Sequence, residues 1–147
     1  MAEELIFDEY VDDGKGMFVG YQLFNDVGIS DYVDCKIEIY TNNIKAKQKS
    51  VGRYLLKRAD LEFDDDIVDL VALLEIIDVG YSIKGCDFMA YKKTVDILLQ
   101  SYSDNSFEKI VKAIRYKYST IKQICELLEA NSIGNNCVDI FETPIKT

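Results

Sequence analysis

Histidine is absent from the 147-residue chain. Cysteine–histidine and serine–histidine–acid nucleophiles are therefore closed to it, as are histidine-bearing zinc sites. Tryptophan is absent too, and the single proline, Pro144, falls in the last few residues. No repeat, low-complexity tract or linker interrupts the sequence. No apolar run reaches the roughly 18 residues of a membrane span. The opening residues, MAEELIF, are acidic and lack the basic start of a signal peptide. These absences predict one soluble, cytoplasmic domain spanning residues 1–147, with no membrane contact.

Basic residues are the scarcer charge, 17 against 26 acids, for a net charge of −9. Phosphate neutralisation needs the opposite balance, so direct nucleic-acid binding is not expected. An acidic surface suits a basic protein partner, or serves solubility alone. The charge is blocked along the chain. Residues 1–34 and 59–87 each hold nine acids and one base, while 35–58 and 88–122 each hold seven bases. Such blocks pair within a fold or present separate faces to a partner.

The four cysteines, Cys35, Cys86, Cys125 and Cys137, form no CxxC and sit in or beside apolar stretches. Without a secretion signal they are expected as free, mostly buried thiols. Their wide separation argues against a Cys₄ metal site. No cofactor is expected.

What is present suggests an α+β fold. An N-terminal antiparallel β-meander of three to four strands (β-rich region 1–63) packs against about four C-terminal helices (helical region 64–134), with a possible final strand at 137–141. ELIFDEYV reads as the first strand and MFVGYQLF as the second, with Met17, Val19, Tyr21 and Leu23 on one face. The intervening DDGKG matches neither a Walker loop nor an EF-hand, and reads as a turn. YVDCKIEIYT alternates most clearly. Asn42-Asn43 suggests a two-residue hairpin, which would pair Thr41 with Ile44, Ile39 with Ala46 and Glu38 with Lys47. Ser50–Phe63 fits helix or strand. Beyond residue 64 the period becomes helical. DDDIVDLVALLEIIDVG is apolar nearly all round, with a narrow polar strip at Asp69, Ala72 and Glu75, and so reads as a buried central helix ending at Gly80 or Gly85. Phe88, Tyr91, Val95, Leu98 and Leu99 line one face of the next. Capping boxes are expected at Asn105/Glu108 and Thr120/Gln123. The last two helices resemble a helix-turn-helix in length and in their short connection at Ser119, with basic Lys109, Lys112, Arg115, Lys117 and Lys122, but the second carries Glu126 and Glu129 and only one lysine, so the pair reads as an ordinary helical hairpin.

Two acidic groups are candidate partner-binding sites: Asp64, Asp65, Asp66 and Asp69, and separately Asp12, Asp13, Asp31 and Asp34. Ten tyrosines are present, of which Tyr32 and Tyr40 fall on the polar side of the clearest strand and are candidate aromatic anchors. Size, acidity and the lack of catalytic imidazole are similar to those of intracellular inhibitors such as toxin-immunity proteins and phage or viral antagonists. That similarity is of class and implies a non-enzymatic module that masks a basic partner, such as a nuclease toxin or other nucleic-acid-processing enzyme. Two alternatives stand beside it: a helix-turn-helix transcriptional regulator, and a carboxylate-metal-dependent enzyme using EFDDD with Asp69, since Asp65 and Asp69 share a helix face.

Overall fold

Alternation of period two gives way to helical spacing near residue 65, and the computed structural model of the chain, which describes residues 2–142, follows that division only in part. The elements are α1 (Ala2–Tyr10), β1 (Gly16–Val19), α2 (Gly20–Asp26), β2 (Ile37–Thr41), β3 (Gln48–Val51), β4 (Tyr54–Arg58), α3 (Asp65–Val79), α4 (Phe88–Leu99), α5 (Asp104–Ala113), α6 (Tyr118–Ala130) and α7 (Cys137–Glu142), with a 3₁₀ turn at Gly80–Ser82. The fold is α+β, as expected, but with seven helices among the described residues. Pro144 lies outside them.

The sheet is mixed, not a meander. Its order is β1-β2-β4-β3, with β2 and β4 parallel and both outer pairs antiparallel. Asn42-Asn43 does not close a hairpin. The Asn42 amide donates to the carbonyls of Gly14 and Leu61, at 3.3 and 2.7 Å, and Asn43 donates to that of Glu9. These bonds tie the end of β2 to distant loops and carry the chain away from it. The expected pairs to Ile44, Ala46 and Lys47 are replaced by Ile37↔Tyr54, Ile39↔Leu56 and Thr41↔Arg58. Glu38 finds Lys57 instead of Lys47, at 2.6 Å. The ambiguous segment resolves as a β3–β4 hairpin turning at Gly52 (φ +58°) and Arg53.

Two expected strands are helices. ELIFDEYV forms α1, where Ile6 and Tyr10, four residues apart, are buried together with Ile39, Tyr54 and Leu56. MFVGYQLF splits at Gly20 into β1 and α2. CVDIF is also helical: the Asn135 side chain accepts from the Cys137 amide and starts α7. Two cysteines are not free. Cys125 of α6 and Cys137 of α7 form a disulfide, while Cys35 is exposed and Cys86 half-buried. The capping boxes shift as well. Ser103, not Asn105, caps α5, and α6 starts at Lys117–Tyr118 without a side-chain cap.

Both faces of the sheet are covered. One carries Ile39, Tyr54 and Leu56 against α1; the other meets the larger core around α3 through Met17, Val19 and Tyr40. Asp64 caps α3 by accepting from the Ile67 amide at 2.9 Å. Eight of its fifteen residues are buried, and α4, α5 and α6 pack around it. No helix among the described residues is long and apolar enough to cross a membrane.

Gly16 marks the tightest junction. A Cβ there would overlap the carbonyl oxygens of Tyr10 and Tyr40, both main-chain atoms that cannot swing away. Gly16→Ala is expected to lose about 1–3 kcal/mol in urea unfolding. Gly134→Ala, whose Cβ would meet nothing, is expected to change stability by less than about 0.5 kcal/mol.

Candidate functional site

The polar strip of α3 leads into the interior. Asp69 accepts from the Ser101 hydroxyl at 3.1 Å. One turn and a half along, Glu75 accepts from the Tyr40 hydroxyl at 3.3 Å. Asp78 accepts from the Thr120 hydroxyl at 2.7 Å, and the Lys117 ammonium lies 3.6 Å away. The buried Tyr116 hydroxyl lies against Glu75 without completing a hydrogen bond of its own. Burial pushes Glu75 above the ordinary carboxyl range, and Asp78 adds to the shift. Tyr116, Lys57 and Tyr40 oppose it. Burial likewise raises Tyr40 and Tyr116, helped by Glu75. This cluster joins β2, α3 and the α5–α6 connection.

Tyr40 is therefore not an exposed anchor. It does share the polar side of β2 with Glu38, as the alternation indicates, but α3 covers that side. The expectation assumed a half-solvated sheet, and this sheet is covered on both faces. Asp69 is similarly drawn inward and separated from its neighbours Asp64–Asp66.

The remaining candidates form two groups at opposite ends of α3, a helix of about 22 Å at 1.5 Å per residue. At its N-terminus the Phe63 amide donates to the Gly14 carbonyl at 3.0 Å. That bond brings the Asp12–Asp13 turn beside Glu62 and Asp64–Asp66. Asp12, Asp13, Asp65 and Asp66 are exposed, and none has an ion-pair partner among the described residues. Sequence grouped Asp12 and Asp13 with Asp31 and Asp34, but the fold groups them with the triad. The triad itself is divided in role, since the Asp64 carboxylate is engaged as a cap. Among the described residues no three acidic or cysteine side chains converge in a metal-binding arrangement.

Asp31, Tyr32 and Asp34 lie at the other end. Ser30 bridges to Cys86, the Ser30 hydroxyl donates to the Lys84 carbonyl, and the Asp87 amide donates to the Ile29 carbonyl at 2.8 Å. The Lys84 ammonium stands 5.0 Å over the Tyr32 ring, which also meets Tyr21 edge-on. This short ribbon carries the chain from the 3₁₀ turn to α4. There Tyr81 and Phe88 pack together at 5.3 Å, and Tyr81 also meets Tyr91. Tyr81 is 70% exposed, Phe88 59% and Met89 83%. Periodicity placed Phe88 on the buried face of α4. It is exposed because the first turn of α4 packs on the 3₁₀ turn, past the end of α3. The signal available in the sequence was the run of aromatics flanking GCD: Tyr81 before it, Phe88 and Tyr91 after.

The helix connection expected at Ser119 lies earlier. α5 ends at Ala113, the connection is the four residues 114–117, and Ser119 lies inside α6. Lys112 and Lys117 are engaged by Glu108 and Asp78.

Compared with family models, curated proteins and solved structures, the chain matches none of them.

The Glu75 shift has a definite sign. Its folded-state value lies above the ordinary value near 4.5, so the folded protein holds that proton more tightly. The stability linked to it is present at low pH and lost as pH rises above about 4.5 through the folded value. Glu75→Gln removes the titration. The stability of the wild type relative to this variant is expected to fall between pH 4.5 and pH 8 in urea unfolding. An unchanged difference would contradict the burial of a titrating carboxyl.

Proposed function

We propose that this protein is a non-enzymatic, acidic protein-binding module, an inhibitor or immunity-type protein that masks a basic partner such as a nuclease toxin. The observation that carries the reading is the exposed cluster Tyr81, Phe88 and Met89 beside the ribbon that bears Asp31 and Tyr32, with Asp34 two residues farther along the chain. Exposed aromatics and methionine supply the apolar centre of a protein interface. Carboxylates at its rim select a basic partner and speed encounter. A surface of this kind binds by fit. The absence of imidazole, with Glu75, Tyr40 and Tyr116 drawn into the interior, supports binding over chemistry.

The acidic edge at Asp12, Asp13, Asp65 and Asp66 serves the same reading differently. It lies about one α3 length away, so its contribution is long-range attraction that fades with salt. The regulator alternative has less support. The core-facing residues of α6 are Ile121, Ile124, Cys125 and Leu128, and its outer side carries Glu126 and Glu129 with Lys122, a poor surface for phosphate.

The test begins with affinity capture from the native host. Against the captured partner, Tyr81→Ser with Phe88→Ser is expected to raise Kd at least tenfold, in line with hot-spot losses of about 2 kcal/mol or more. Asp31→Asn with Asp34→Asn is expected to slow association and flatten its salt dependence. Unchanged binding by both double variants would contradict the reading, as would turnover of a substrate by the purified chain.

A further inference from the structure

Helix α1 does not cover its sheet face completely. Ile6 and Tyr10 fill the middle, and a gap remains on each side. One gap, of about 480 Å³, lies toward the β3–β4 turn. There the chain supplies its own cation. The Arg53 guanidinium donates to Glu3 Oε1 at 3.1 Å and sits 5.8 Å from the centre of the Tyr54 ring. The other gap, a cleft of about 400 Å³, lies between α1 and the start of β2, beside α2. Its floor is Phe18, Ile37 and Tyr54, with Phe7 at the edge. Its rim carries Glu3, already held by Arg53, together with Glu4 and Asp8, which lie one helical turn apart and are both exposed. Neither Glu4 nor Asp8 has an ion-pair partner among the described residues, and the nearby Lys15 ammonium is committed to the main-chain carbonyl of Asp8 at 2.7 Å.

The geometry points to this cleft as the binding site for an arginine-bearing segment of the partner protein. Next to the Glu3–Arg53 pair, Glu4 and Asp8 offer the same combination of α1 carboxylate and aromatic surface with no ion-pair partner of their own among the described residues. Guanidinium suits both parts, because its planar fork donates to carboxylates while its face lies on a ring. Phe18 and Ile37 accept the side chain's methylene stem. The inference rests on the reading of a basic partner and gives that partner a second point of attachment. Helix α2 stands between the two: Tyr21 accepts from the Lys84 amide on the ribbon side, and Gln22 lines the cleft.

The probe is an acetylated, amidated tri-arginine peptide titrated into ¹⁵N-labelled full-length protein at low salt. Saturable shifts are expected at the amides of Phe18, Gln22, Ile37 and Tyr54. Glu4→Gln with Asp8→Asn is expected to weaken binding at least fivefold. Both positions are exposed, so circular dichroism of the variant should match the wild type; the single variant Glu4→Lys, which reverses the rim charge, should weaken binding as well. Tri-lysine is expected to bind more weakly than tri-arginine. Shifts confined to Asp12, Asp13 and Asp64–Asp66, or equal binding by the double variant, would overturn the inference. If the peptide fails while the captured partner still depends on Tyr81 and Phe88, the arginine site falls and the binding-module reading stands.

Discussion

Beyond its exposed first turn, helix α3 is enclosed by the sheet on one side and by α4, α5 and α6 on the others, so each polar group farther along it must find a partner inside the protein. Each of its fully buried leucines and isoleucines contributes about 1.5–3 kcal/mol by leaving water. The same enclosure makes an unpartnered carboxylate expensive. Asp69, Glu75 and Asp78 are accommodated one by one, by Ser101, by Tyr40 and by Thr120 with Lys117. These bonds fix how α4, β2 and α6 sit around the helix. The strip thus sets orientation, and the apolar remainder supplies the stability.

That arrangement decides where function can reside. The flanks of α3 are occupied, which leaves its two ends and the far side of the sheet. At the N-terminal end, capping by Asp64 and the Phe63–Gly14 bond gather carboxylates into one exposed edge. At the C-terminal end the chain turns through Gly80 into a ribbon and exposes Tyr81, Phe88 and Met89. Behind the sheet, the nine-residue α1 is too short to close over the face it covers. Apart from the α3 strip, the acidity of the chain is thereby displayed at separate places around a largely apolar interior.

How much of this was legible depended on whether a local pattern had a competitor. The α3 pattern had none: three aspartates, a long apolar run and a glycine mean one thing, and α3 forms as read. The buried residues Ile121, Ile124, Cys125 and Leu128 of α6 were equally plain. ELIFDEYV was not, because Ile6 and Tyr10 suit a helix with acids in its first turn as well as a strand, and only the sheet face below it decides. Asn42-Asn43 looked like a hairpin because adjacent residues pair at the lowest loop entropy. The alternate apolar residues Tyr54 and Leu56 offer Ile37 and Ile39 a better neighbour, and the parallel pairing wins. Tyr40 was misjudged for a related reason, since alternation reports which residues share a face and not whether that face is solvated. The Cys125–Cys137 bond depends on α7 folding back against α5 and α6, which no local pattern encodes.

Hydrogen exchange of the free protein and of its complex with the captured partner tests the central claim directly. Binding through the exposed end of α3 predicts new protection across residues 30–36 and 80–91, with the amides of residues 67–77, already enclosed, unchanged. Protection centred on residues 114–130 instead, with the Tyr81–Phe88 region left as open as before, would contradict it.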